Sequence, residues 1–160
     1  MKISTQHRAG FSVLELLIVL AVLSIIFGIG AVSLGDFNDP LRNASSQLEG
    51  VIKQTRARAM STTSAYRLVR TSDTTLIAQR ADRCTAANGD WAADSSFELD
   101  LREWRDVSIE RIDPLAANDV VTCFNSRGLT NSNVTITLQD GGGRSVELEI
   151  LLGGAVEVRR

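Results

Sequence analysis

Residues 10–35 read GFSVLELLIVLAVLSIIFGIGAVSLG, and from Leu16 to Gly35 no side chain carries a charge. As a helix, Phe11 to Leu34 would rise by about 36 Å, enough to span a hydrocarbon core of about 30 Å with some tilt. Upstream, MKISTQHRAG carries Lys2 and Arg8 and no acid. Positive charge on a short flank holds that flank in the cytoplasm, so the sequence predicts export of everything after the apolar run. A secretory signal is the competing reading, because small residues between Gly28 and Ser33 offer a cleavage site. Against it stand the length of the run and Glu15, an acid at its start for which a secretory signal has no use.

The rest of the chain is of a different character. Over 160 residues the composition is ordinary, 44% hydrophobic and 22% charged, yet the charge lies almost entirely outside the apolar run. The chain reads as an anchor followed by one soluble body. Its only histidine, His7, precedes the run, and its only lysines are Lys2 and Lys53. Histidine-centred acid/base chemistry and histidine metal sites are thereby excluded for the body. A formal net charge of −2 does not suit a protein held to nucleic acid by bulk charge, although local basic patches remain open.

Gly10-Phe11-Ser12-Val13-Leu14-Glu15, running into Leu16-Leu17-Ile18-Val19-Leu20, resembles the class III signal of type IV pilins and type II secretion pseudopilins. The resemblance implies cleavage after Gly10 on the cytoplasmic side by a prepilin peptidase, which also N-methylates the new terminus, Phe11. Residues 1–10 are then a leader, 11–35 a transmembrane and assembly helix, and the inner membrane an obligatory station. A carboxylate at the centre of a bilayer costs about 3 kcal/mol, and less near an end where it reaches the headgroups. Glu15 is therefore either a tolerated acid at a helix end or a paired one. In the family this glutamate is paired with the N-terminal amine of a neighbouring subunit, which implies Phe11 as its partner here.

Asp36-Phe37-Asn38-Asp39-Pro40 interrupts the apolar helix, since proline lacks a donor and disfavours helix in the residue before it. A second, amphipathic helix is expected within 36–64. Leu41, Ala44, Leu48, Val51, Ile52, Thr55 and Ala59 recur at three- and four-residue spacing, so one face can lie against a sheet. After Ser64 the period becomes two. Tyr66 to Thr71 and Thr75 to Arg80 flank Ser72-Asp73-Thr74 as a hairpin, and Val120 to Phe124, Val134 to Leu138, Val146 to Leu152 and Ala155 to Arg159 read as four more strands. Between the two groups, Ala81 to Asn118 is acidic and is expected to be irregular, with Trp91, Phe97, Leu99, Leu101, Trp104, Ile109 and Ile112 pointing inward. The expected class is α+β: a long N-terminal helix whose amphipathic half packs on an antiparallel β domain over 65–160, in the manner of pilins.

Beyond the signal, the chain resembles the minor H-type pseudopilins and related minor pilins. Arg56-Ala57-Arg58-Ala59-Met60 ahead of Tyr66-Arg67-Leu68-Val69, Cys123-Phe124 followed by Gly128, and Gly154 before the last strand carry that likeness. The chain departs from it at Asn125-Ser126-Arg127, where those relatives often have proline, and at Ala155, where they often have arginine.

Cys84 and Cys123 are the only cysteines, in a body that the topology exports to an oxidising compartment. A disulfide tying the middle segment to the C-terminal sheet is the expected state, with two buried thiols as the alternative. A redox site is not indicated, because no Cys-x-x-Cys spacing occurs. Seven acids from Asp82 to Asp106 lack any calcium-loop spacing and, interleaved with Arg83, Arg102 and Arg105, read as a solvated face. There is no Gly-x-Ser-x-Gly elbow, no Ser-x-x-Lys pair and no phosphate-binding glycine loop. No enzyme activity, metal or cofactor is expected.

The function expected is that of a membrane-anchored minor pilin or pseudopilin that helps initiate, prime or cap a type IV pilus or a type II secretion pseudopilus. Its partners would be prepilin peptidase and the other major and minor subunits, and its place the inner membrane with an extracytoplasmic body, then the filament. A DNA-binding minor pilin of natural transformation is the alternative. In that case Arg127, Arg144, Arg159 and Arg160 would gather at one sheet edge to hold phosphates, although the mature chain, with fourteen Arg and one Lys against nineteen acids, is net negative and Glu147, Glu149 and Glu157 can pair with the same arginines.

Overall fold

The computed structural model describes residues 12–33 and 39–159, which fall into two units divided between Asn38 and Asp39. The first unit contributes α1, Val13–Ser33. Ser12 starts it: its carbonyl accepts from the Leu16 amide at 3.2 Å and its hydroxyl from the Glu15 amide at 3.2 Å, satisfying donors that a helix terminus otherwise leaves orphaned. Every described side chain of α1, through Ile26, is exposed.

The second unit opens with α2, Pro40–Ser61. Pro40 starts this helix, because the first helical position needs no donor and the ring already holds the required φ. Asp39 caps it, accepting from the Leu41 amide at 3.2 Å. All seven residues of the sequence-read apolar face are buried, together with Ser45.

Two four-stranded antiparallel sheets follow where the sequence led us to expect one. The first is ordered β3-β2-β1-β5, from Ala92–Asp100, Thr75–Ala81, Ala65–Arg70 and Val120–Phe124. The second is ordered β4-β6-β7-β8, from Ser108–Asp113, Val134–Gln139, Ser145–Ile150 and Val156–Arg159. Helix α2 packs on strands of both, and Leu48 and Ile52 share one core with Leu68, Leu76, Leu99, Phe124, Ile136, Leu138 and Leu148.

The middle segment is the main correction to the sequence reading: Ala81 to Asn118 is not irregular but holds β3 and β4. Each escapes a period-two search because it is bulged. In β3, Ile77 faces Glu98 while the next residue, Ala78, faces Asp94, so 95–97 loop out of register. In β4, the register slips between Ile109 and Arg111, which lets Ile109 and Ile112, three apart, both point into the core. A bulge inserts residues on one strand only and so erases the alternation that marks a strand. Leu99, Leu101, Ile109 and Ile112 are buried as expected. Phe97 and Trp104 are half-buried against the core, and the Trp104 indole N–H donates to the Gln47 amide oxygen of α2 at 2.7 Å.

Candidate functional site

The residues the sequence singled out lie in three places. At the N-terminus, Gly10 and Phe11 lie outside the described residues. Glu15 sits in the first turn of α1, where a carboxylate is favoured by the helix dipole. With Ser12 as cap, Ser12-Val13-Leu14-Glu15 has the spacing of a capping box, a signal that the apolar run overshadows in the sequence. Among the described residues no helix is long and apolar enough to cross a membrane.

The second place is the outer side of the first sheet. Cys84 and Cys123 form a disulfide with their Cα atoms 5.9 Å apart. The bridge joins the loop after β2 to β5, and β5 pairs with β1 rather than with the C-terminal sheet, in the register Tyr66 to Phe124 and Arg67 to Cys123. It therefore braces the first sheet internally, which corrects the expected span. Arg67 organises the loop around it, donating from Nε to the Gln79 amide oxygen at 2.8 Å and from Nη1 to the Asn88 amide oxygen at 3.3 Å. Its guanidinium also lies 4.2 Å from the centroid of Trp91, a cation–π contact. Trp91, expected inward, is half-buried beneath that guanidinium because its indole N–H has a partner there, the Ala86 carbonyl at 3.3 Å. Reduction of the bridge, whose cysteines are 39 residues apart, should lower stability by about 2–4 kcal/mol, readable as a lower denaturation midpoint of the full chain with and without reductant.

The third place comprises the arginines, which do not gather. Arg144, in the β6–β7 turn, reaches Asp140 at 2.7 Å and Asp39 at 3.3 Å, tying that turn to the cap of α2. The Arg144 backbone N–H, followed by its guanidinium, holds the Asp140 carboxyl below the usual range. Arg159 pairs with Glu149 at 2.6 Å and reaches Glu157 at 4.0 Å. Arg127 is exposed and makes no ion pair among the described residues; its turn lies at the far end of β7, where the Thr130 amide donates to the Leu152 carbonyl at 3.0 Å. Arg160 lies outside the described residues.

A fourth constellation, which the sequence showed only as scattered likenesses, is assembled by the fold. Arg56 of α2 donates from Nε to the Gly128 carbonyl at 3.0 Å. Gly154, at φ +74°, passes so close that a Cβ there would overlap the Gly128 carbonyl oxygen and approach Arg56 Nε to 2.6 Å. One arginine thus pins the turns after β5 and β7 to the end of α2. Nothing in a single sequence announces a contact between positions 72 residues apart.

Among the described residues no three His, Cys, Asp or Glu side chains are placed to hold a metal ion. An open cavity of about 530 Å³ beside the disulfide loop is lined by Arg80, Asp82, Arg83, Thr85 and Asp90 and pairs no nucleophile with a base.

Residues 5–31 match the prokaryotic N-terminal methylation motif. No curated protein matches the chain in sequence. Among solved structures, the fold is similar to the type IV minor pilin FimU of Pseudomonas aeruginosa, with a TM-score of 0.58 at 16% identity over 75% of this chain and 88% of that one. A second crystal form of FimU aligns with a TM-score of 0.56 at 16% identity over 75% of this chain and 93% of that one. The minor pseudopilin EpsH of the Vibrio cholerae Type 2 Secretion System aligns with a TM-score of 0.58 at 11% identity over 76% and 97%. A prokaryotic N-terminal methylation motif thus runs into the first helix of a chain whose fold is similar to that of type IV minor pilins and a minor pseudopilin.

Proposed function

We propose that the chain is a minor pilin or pseudopilin, a non-enzymatic subunit anchored in the inner membrane that enters a type IV pilus or type II secretion pseudopilus and helps to initiate, prime or cap it. The observation that carries this reading is the methylation motif at the head of a body with the fold of FimU and EpsH. Prepilin peptidase would cut after Gly10 and methylate Phe11, and other pilin or pseudopilin subunits would be the partners. DNA capture by the four arginines is not favoured, because Arg144 and Arg159 already face carboxylates and Arg127 lies at the other end of β7.

Intact-mass analysis of the chain co-expressed with prepilin peptidase tests the processing. The expected product begins at N-methylated Phe11. A mature chain that retains Met1 to Gly10, or one that begins near Ala31, would overturn the reading.

A further inference from the structure

The end of the body around Gly128 and Gly154 differs from the rest of the surface in two independent ways. It exposes large apolar side chains. Outside α1, only four are exposed among the described residues, and three of them, Met60 (42%), Leu129 (41%) and Leu152 (53%), meet here. Met60 Sδ and Cγ close over Gly128, Leu129 follows it, and Leu152 accepts from the Thr130 amide of the same connection. Scattered apolar residues on a surface need no explanation, but a cluster at one end does.

It also lacks acids. The three segments that build it, 50–72, 120–139 and 150–156, contain no Asp or Glu, although the chain has nineteen. Two of the cations beside it are unpaired. Arg70, Arg102, Arg144 and Arg159 each face a carboxylate, whereas Arg127 and Arg56 make no ion pair among the described residues, and Arg56 spends only its Nε on the Gly128 carbonyl.

From this convergence we infer that the Met60–Leu129–Leu152 end, with Arg127 and Arg56 beside it, is a docking surface for a protein partner that presents an apolar patch rimmed by carboxylates. Apolar centres with charged rims are the usual anatomy of a protein interface, and the unpaired guanidiniums supply the complementary charge. A phosphate backbone would use the arginines and leave the three apolar side chains wet. An anionic membrane would use both, and vesicle binding is one of the outcomes of the test below. The inference rests on the filament-subunit reading only for the expected identity of the partner.

The test uses the full chain in cells that make the filament machinery, with the photoreactive amino acid p-benzoylphenylalanine at Leu152, and at Leu115, exposed elsewhere on the body, as control. The Leu152 probe should give one discrete product whose partner peptide contains or adjoins Asp or Glu. Arg127→Glu should lower its yield about tenfold or more, and reversing the mapped partner acid to Lys should restore it. Leu152→Ser, probed from Leu129, should lose the product without loss of folded protein. A Leu152 yield no higher than the Leu115 control, or a product indifferent to Arg127→Glu, would overturn the inference. So would binding of the detergent-solubilised chain to phosphatidylglycerol vesicles or duplex DNA that is abolished by Arg127→Glu. If the wild-type chain cross-links but is absent from sheared filaments, the filament reading fails and the docking surface stands; presence in filaments without the cross-link gives the reverse.

Discussion

Gly154→Ala should lower the melting temperature of the body by about 10 °C, the largest effect expected of any single methyl group in this fold. Two costs coincide at Gly154. Its φ of +74° lies in the left-handed region, where a side chain is strained by about 1–3 kcal/mol. The added Cβ would also overlap the Gly128 carbonyl oxygen and crowd Arg56, so the turns after β5 and β7 must part or the Arg56 hydrogen bond must break, at a further cost of about 1–3 kcal/mol. Gly143 separates the two effects, because its φ is +80° yet a Cβ there meets nothing within 4 Å. Gly143→Ala should therefore show the backbone strain alone, a drop of a few degrees. Thermal denaturation of the three full-length proteins in the same detergent, followed by circular dichroism, decides the matter. Equal drops for the two substitutions would mean that the close approach of Gly154 to Gly128 constrains nothing.

Glu15→Leu should leave insertion and processing intact and reduce the chain in sheared filaments by about tenfold or more. In a plain signal anchor this substitution removes a charge that the bilayer disfavours, so insertion improves or stays the same. In the assembly helix proposed here, the carboxylate offsets its desolvation by meeting the amine of Phe11 on an adjacent subunit, and removing it leaves that amine buried without a partner when helices pack. Glu15 also stands in the first turn of α1 behind the Ser12 cap, so part of any loss could come from the helix start. Ser12→Ala provides the control, since it removes the cap and keeps the carboxylate. Quantifying both variants in membrane and filament fractions separates the two roles. Wild-type incorporation of Glu15→Leu would leave Glu15 a tolerated acid and remove the proposed mechanism of assembly.

The N-terminal signal and the amphipathic face of α2 were legible in the sequence because both are local patterns. A charge-free run, a basic flank and a three-to-four spacing are properties of neighbouring residues, and the helix that expresses them needs no distant partner to choose its face. The same holds for β1, β2 and β6 to β8, whose alternation of polar and apolar residues survives into the sheets, whereas β5 was legible as a short apolar run and is bulged against β1. What only the tertiary structure decided is everything that depends on register. β3 and β4 were hidden because a bulge is defined by the partner strand, so Ile109 and Ile112 share a face only once Leu138 and Ile136 lie opposite them. The partition into two sheets, and with it the placement of the Cys84–Cys123 bridge inside the first, follows from β5 choosing β1. That choice is a competition between long-range pairings with no local signature. Arg56, Gly128 and Gly154 became one joint, and Met60, Leu129 and Leu152 one surface, for the same reason: loop ends far apart in the chain meet only when the core they close has formed.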